Sequence, residues 1–583
     1  MLMKNSKPVD TVPETPRRQA APSGRAGHLD AFARKVLSFP VMMGALLVGL
    51  AVLSSRLNLP DPDMWWHTMV GQHILATHAW PTSDSYSFTA PGAHWIAYEW
   101  LGEVVMALAA HFGFFQGLTA LLMLLGAAFT ALLYGYATLV SGNSKAALVA
   151  CAIFLPLLTV FFTARPQLIG YVFLVVVLIC LERYRQGKQK NLWIFPPLFL
   201  VWVNTHGSFV FGLAVFGIYW ASGLIDFEAG GVRAEPWTPK QRRHLALVFL
   251  LSVLALMVTP YGTQPAAYPL QMALSQPLNV AHISEWQALD VQIWQMKLLL
   301  ILVLAFWLAH IPLRQTYRLE NVVLLFLATY ACFVHRRFMP FLILILAPFI
   351  AKMIARWMPK YRPEIDQYAV NAILIGLGAF GLVLAFPSQK TLDKAVAKRY
   401  PQKAVEYLSR HPQPGPMLNE YDWGGYLIWA PGLHHKVFVD GRADFYEYAG
   451  VLSDYFDIAG VRPDTRFLLH KYHIQFCLIH RNAPLGTFLD TLPGWEKVYQ
   501  DKLSEIFIRP TQPPSSTSER PVPHQVREPI AARSKVVKGP ASPVAGEARL
   551  RIRARQLPAP EGAEEALQPA LAWWSIKMEA NLR

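Results

Sequence analysis

The sequence predicts a mainly α-helical, polytopic membrane protein with about eleven transmembrane helices and a small α/β domain outside the membrane near its C-terminus. Three observations carry this. Of 583 residues, 53% are hydrophobic and 16% are charged, against about 25% charged in a typical soluble domain. The apolar residues fall in long runs, among them 41–53, 118–133, 169–181, 245–258, 298–308 and 373–386. Lys and Arg are absent from 57–116 and 259–296 yet cluster between other runs, the asymmetry that sorts inner from outer loops. A soluble globular protein, a disulfide scaffold and a disordered chain are thereby excluded. The net charge of +15 belongs to basic cytoplasmic loops rather than to nucleic-acid binding.

The elements follow in chain order. Residues 1–37 are polar, rich in Pro and Arg, and are expected to form a disordered cytoplasmic arm. The first apolar run lacks the small-residue cleavage site of a signal peptide, so it is expected to be retained as a helix. Spans are expected at about 38–56, 116–139, 146–163, 167–183, 191–204, 208–225, 244–259, 297–311, 320–334, 338–355 and 369–387, the fifth being short. Basic residues mark alternate ends. They are Arg17, Arg18, Arg25, Arg34 and Lys35 in the arm, ERYRQGKQK after the fourth span, and Lys240, Arg242 and Arg243 after the sixth. Arg314 and Arg318 follow the eighth span, and Arg356, Lys360 and Arg362 the tenth. These loops belong in the cytoplasm, which places 57–116 and 259–296 outside. An odd number of spans then places everything after Phe386 outside as well.

The chain is thus expected to comprise the arm 1–37, a transmembrane domain 38–390 with an outer loop 57–116, an external α/β domain 395–510, and a flexible basic tail 511–583. Within the external domain, HKVFVD and FCLIH read as buried strands, and 443–456 and 464–471 as helices. The tail is rich in Pro, Ser, Arg and Glu, with Trp573, Trp574 and Ile576 suggesting a short amphipathic helix at its end. Four cysteines, Cys151, Cys180, Cys332 and Cys477, show no metal or disulfide spacing.

On this topology the unusual polar groups share one face. Asp61, Asp63 and His67 follow the first span, and Asp84, Tyr98 and Glu99 lie in the same outer loop. Arg165 joins spans three and four, Asn204 and His206 end span five, Glu285 lies in the second bare segment, and Arg336 and Arg337 join spans nine and ten. Ionisable groups at a bilayer are costly, so their convergence is a functional signal.

DPDMWWH is the sharpest motif. Asp61 suits a helix N-cap, Pro62 the first helical position, and Asp63 the first turn. Asp63 and His67 share one helix face. Two carboxylates and an imidazole just outside the bilayer suit a base that takes a proton from a hydroxyl, or a divalent cation (Mg or Mn) held by Asp61 and Asp63. Trp65 and Trp66 read as membrane-interface anchors. PTSDSYSFTAPGAHWIAYEWLGE reads as a loop leading into an interfacial helix over 98–111, with Glu99 or Asp84 as a further acid. Arg165, Arg336 and Arg337 supply cations for a phosphate; the last two diverge by about 100° on a helix, so one of them faces the cavity. Asn204 and His206 suit hydrogen bonds to a sugar, or a helix cap. Asp422, Asp440 and Arg442, in NEYDWGGY and VFVDGRADFY, suit a crevice at strand ends, or an Asp–Arg pair that fixes a turn.

These motifs carry a resemblance. An acidic motif after the first span, an interfacial helix in the first outer loop, and many spans followed by an external α/β domain resemble the GT-C superfamily of membrane glycosyltransferases. That superfamily includes protein O-mannosyltransferases, aminoarabinose transferases and oligosaccharyltransferases. DPDMWWHTMVGQHIL, RPQLIGY, NTHGSFVFG, ISEW and HRRFMPF, with the motifs above, resemble a bacterial group of GT-C-like proteins over about residues 40–510. The resemblance implies a bacterial inner-membrane location, a polyprenyl-phosphate sugar donor, and a glycan, lipid or protein acceptor. It also implies that Asp61 or Asp63 is the acidic position that acts as base or metal ligand. The pattern here is DPD, where members vary between one acid, DD, DE and ED, which leaves metal dependence open. The expected reaction has the donor phosphate near Arg165 and Arg336 and an acceptor hydroxyl activated by Asp63 or Asp61. Two rivals are a lipid-linked glycan transporter, which needs charges on both faces, and a non-catalytic envelope assembly protein with a binding external domain.

Overall fold

The computed structural model describes residues 25–313 and 315–510. The arm to residue 24, Arg314 and the tail 511–583, with Trp573, Trp574 and Ile576, lie outside the described residues. The chain is mainly helical. Its first half holds α1 (Arg25–Val36), α2 (Phe39–Ser55), α3 (Pro62–Thr77), α4 (Trp100–Ala110), α5 (Phe114–Ser141), α6 (Ser144–Leu158), α7 (Gln167–Arg185), α8 (Phe195–Val203), α9 (Phe209–Ser222) and α10 (Pro239–Ala255). There follow α11 (Gln264–Ser275), α12 (Pro277–His282), α13 (Trp294–Leu313), α14 (Leu319–Val334), α15 (Met339–Ile354) and α16 (Tyr368–Leu384). The last part holds α17 (Gln389–Ala397), α18 (Gln402–Arg410), α19 (Gly424–Trp429), α20 (Ala443–Tyr448), α21 (Val451–Ala459), α22 (Thr465–Lys471) and α23 (Pro484–Thr491).

Every expected span coincides with a helix, but the helices differ in length. Among the described residues, four stretches are long and apolar enough to cross a bilayer: Phe114–Ser141, Ser144–Phe161, Gln167–Arg185 and Arg336–Ile354. α16 and α17, bent by 61°, would make a fifth if taken as one span. α8 has only nine residues, a rise of about 14 Å, less than half the hydrocarbon thickness. The arm is not irregular throughout. Leu29, Phe32, Ala33 and Val36 recur at helical spacing and Arg34 pairs with Asp30 at 3.0 Å, so α1 forms where disorder is expected.

The C-terminal part carries a four-stranded sheet of β1 (Met417–Asn419), β2 (Phe476–His480), β3 (Glu496–Gln500) and β4 (Ser504–Ile508), in the order β1-β2-β4-β3. β1 and β2 are parallel, and the other pairings are antiparallel. FCLIH is β2, as expected. HKVFVD is not a strand of this sheet. Val437, Phe438 and Val439 are fully buried, which explains the strand-like pattern, but the segment lies elsewhere. Val437 donates its N–H to Tyr86 and accepts from Phe88. The Asn419 side chain holds the other edge, accepting from the Phe438 N–H at 2.7 Å and donating to the Val439 carbonyl at 2.8 Å.

These contacts show that 395–510 does not stand apart from the outer loop. Trp66, Val70, Trp95 and Ala97 share a core with Phe438, Tyr446 and Leu452. Met64, Trp65 and Met106 share another with Tyr400, Trp423 and Tyr426. Trp65 is fully buried among Phe114, Phe115, Tyr400, Tyr426 and Trp429. It is a core residue rather than an interface anchor.

Candidate functional site

The site begins at the N-terminus of α3. Asp61 caps it, accepting from the Asp63 N–H at 3.0 Å, which satisfies one of the free amides of the first turn. Arg165, in the turn before α7, donates from Nε to Asp61 at 2.6 Å and contacts Asp63 through Nη1 at 2.8 Å. The other Asp63 oxygen accepts from Trp66 Nε1 at 3.2 Å. Arg165 also lies 3.8 Å from Glu285, which lies 3.8 Å from Arg337. The Arg337 guanidinium sits over the Trp286 ring at 4.0 Å, a cation–π contact. Its Nη1 is buried and makes no hydrogen bond among the described residues.

Arg336 turns aside, donating to Ser284 Oγ at 3.1 Å. Arg337 approaches Glu285, and Arg336 adds to the positive field around that carboxylate.

Electrostatics separate the acids. Burial, opposed by Arg165 and reinforced by Asp61 and Glu285, raises the Asp63 carboxyl from the usual carboxylate range to about 7. Glu285 is held below its usual range: the Arg337, Arg165 and Arg336 charges together outweigh its burial. The basin therefore holds one acid that can exchange a proton near neutrality and one that stays ionised.

Behind Asp63 lies a buried row of titratable groups. His67 Nδ1 is 3.1 Å from Glu103 and its Nε2 is 3.6 Å from Glu99. His206 Nε2 is 3.5 Å from the other Glu99 oxygen, while its Nδ1 accepts from the Ser208 N–H at 3.0 Å. Burial raises both glutamates well above their usual range and depresses both histidines, His206 to about 3. Burial thus disfavours the charged form at every member of the row. Glu103 escaped the sequence reading, being the one acid in the apolar helix WLGEVVMALAA. The available signal was its four-residue spacing from Glu99.

Other expected site residues hold structure. Asn204 accepts from Trp100 Nε1 at 2.7 Å and donates to the Leu200 and Val258 carbonyls at 2.8 and 3.0 Å. Its amide is fully engaged in fixing α4 against α8 and α10, which leaves no donor for a sugar. Asp440 is buried and accepts from the Arg442 N–H, Nε and Nη2 and from the Tyr446 hydroxyl. Arg442 also reaches Asp84 at 2.8 Å. Substrate contact is therefore corrected to the Asp–Arg pair that fixes a turn. Asp84, its oxygens taken by Arg442 and Ser87, ties the outer loop to that turn. Asp422 lies in the turn between β1 and α19, partly exposed.

The turn nevertheless reaches the site through its backbone. A Cβ on Gly441 would lie 1.9 Å from Asp63 Oδ1, and one on Gly425 2.5 Å from the Pro62 carbonyl. Only glycine lets these segments close over the start of α3.

No family model matches the chain, and no curated protein matches it. Among solved structures, it is similar to an oligosaccharyltransferase of Archaeoglobus fulgidus tethered to an acceptor peptide. Identity is 12%, coverage 82% of this chain and 75% of that one, and the TM-score 0.47. It is similar to ArnT from Cupriavidus metallidurans bound to undecaprenyl phosphate, with 14% identity, 83% and 98% coverage and a TM-score of 0.43. A third is the Archaeoglobus fulgidus oligosaccharyltransferase AglB with an inhibitory peptide and a dolichol phosphate, with 12% identity, 75% and 69% coverage and a TM-score of 0.46.

Proposed function

We propose that the protein is a membrane glycosyltransferase that moves a sugar from a polyprenyl-phosphate donor to an acceptor hydroxyl at the external face of a bacterial inner membrane. The observation that carries this is the pairing of Asp63, an acid poised near neutrality, with a guanidinium cluster holding one buried, unbonded N–H on Arg337. The acceptor oxygen attacks the anomeric carbon as the bond to the phosphate oxygen breaks. Asp63 takes the hydroxyl proton. The lipid phosphate leaves with an added negative charge, which Arg337 and Arg165 stabilise. Attack opposite the leaving group inverts the anomeric centre. Asp61 holds α3 and Arg165 in place.

A divalent cation on Asp61 and Asp63 fits poorly, because the Arg165 guanidinium already occupies the space between their oxygens. No step is assigned to a metal.

The transporter reading calls for charges at both ends of the spans. A second charged cluster does exist, with Arg185 on Glu320 at 2.9 Å and Arg318 on Glu182 at 3.1 Å, and sequence reading missed it. Each charge there has an opposite partner, although Arg185 Nη2 and Glu320 Oε2 are buried without a hydrogen bond among the described residues.

The test is an assay of purified protein with a panel of polyprenyl-phosphate sugars, with and without divalent cation. Asp63→Asn is expected to abolish transfer at unchanged expression. Full activity of the Asp61→Asn, Asp63→Asn double variant would remove these acids from the chemistry.

A further inference from the structure

A cavity of about 610 Å³ lies beside the basin, between residues 94–98, α11 and α20. Its size falls within the range of small-molecule sites, about 300–1,000 Å³. Both of its walls continue from the catalytic basin: Tyr98 precedes Glu99, and Asp444 lies three residues beyond Gly441, which abuts Asp63.

The lining has a distinct chemistry. Tyr98 and Tyr268 stack with ring centroids 4.1 Å apart. Gln264 and Gln271 supply amides, each offering a donor and an acceptor as a hydroxyl does, while the Gln276 amide is held by Asp444 and Asn279. Among the described residues no Lys or Arg lines the cavity, so a phosphate or carboxylate meets no permanent counter-charge there. Its acids already accept hydrogen bonds from the chain. Asp444 accepts from the Tyr268 hydroxyl, and Glu447 accepts from the Leu278 and Asn279 N–H groups at 2.8 and 2.6 Å. The guanidinium groups of the basin and the amides of the cavity thus divide the neighbourhood of Asp63 into an anion side and an uncharged side.

We infer that this cavity seats the acceptor, and that the part of the acceptor held there is an uncharged glycan presenting its hydroxyl toward Asp63. The inference rests on the transferase reading but is tested apart from it.

Saturation-transfer NMR on the full chain in nanodiscs would use maltotriose and N-acetylchitotriose as neutral probes, glucose 6-phosphate as the anionic one and a glucosamine trimer as the cationic one. Signal is expected from a neutral probe, falling at least tenfold in Gln271→Trp and Gln264→Trp. Both positions are exposed, so the added indole fills the cavity without displacing core. Melting curves confirm that each variant folds. Asp63→Asn is expected to keep the signal while losing transfer. Absence of neutral-probe signal, signal from a charged probe alone, or signal untouched by either folded Trp variant overturns the inference. Neutral-probe binding with no transfer from any donor instead sinks the transferase reading.

Discussion

Asp61 and Asp63 are two residues apart and share one arginine, yet their surroundings assign them different work. Asp61 spends its carboxylate on the helix cap and on Arg165 Nε. Asp63 keeps a carboxyl raised to about 7 chiefly by burial. A base must be deprotonated to act, so kcat/KM is expected to climb with pH up to about 7 and level off above it. A profile already flat from pH 5 to 8 would remove Asp63 as the base. Asp61→Ala should act on stability instead. Losing the cap costs about 1 kcal/mol, and Arg165 loses its shorter ion pair, so thermal unfolding in detergent should show a clear loss. Gly441→Ala drives a methyl into the Asp63 carboxylate; transfer should fall at least tenfold while the protein still expresses. Much of this was legible in the sequence. DPD announces a cap, and Arg165, Glu285 and the HRR junction stand out as charges at an apolar boundary. The approach of Arg337 to Glu285 was not, because it depends on which segments meet across the bundle. The Asp440–Arg442 pair was readable as a turn from its spacing, whereas the tie of Asn204 to Trp100 and Val258 depends on distant segments.

Helices place these residues, and helix ends do most of the electrostatic work. Arg165 precedes the start of α7, while Arg185 ends the same helix about 27 Å away by helical rise. There Arg185 meets Glu320 in the first turn of α14. A cation at a C-terminus beside an anion at an N-terminus complements both helix dipoles. Both side chains are buried at the contact, so Glu320→Ala leaves a guanidinium without its charge partner, at a cost of about 3–5 kcal/mol. A lowered melting temperature is expected, with transfer per folded molecule unchanged, since the cluster lies at the far end of α7 from the basin. A variant of normal stability but impaired transfer would instead connect the cluster to function. At this scale the positions of the helices were readable from apolar periodicity. HKVFVD misled, because three consecutive buried residues read as a strand whether the partner is a sheet or, as here, Tyr86, Phe88 and one asparagine side chain. Nothing in the spacing reveals the cavity, whose walls come from residues near 98, 268 and 444.

For the molecule as a whole, packing constrains topology more firmly than span counting does. The outer loop and residues 395–510 share two hydrophobic cores and a pair of backbone hydrogen bonds. They therefore occupy the same side of any membrane that the intervening helices cross, and the number of crossings between them is even. Ten of the about eleven spans expected from hydropathy lie between them, which satisfies this parity. Among the described residues, the stretches long enough by composition alone number four, or five with the bent pair. Five would break the parity, so α16 with α17 can be a crossing only if an odd number of the shorter helices cross as well. Single cysteines introduced at His78 and at Tyr448, both exposed, should react together with a membrane-impermeant maleimide added to spheroplasts. A cysteine at Lys188, in the basic loop beyond α7, should react only after permeabilisation. Labelling of position 78 without position 448 would contradict the shared cores, and labelling of position 188 from outside would invert the site relative to the lipid donor it is proposed to meet.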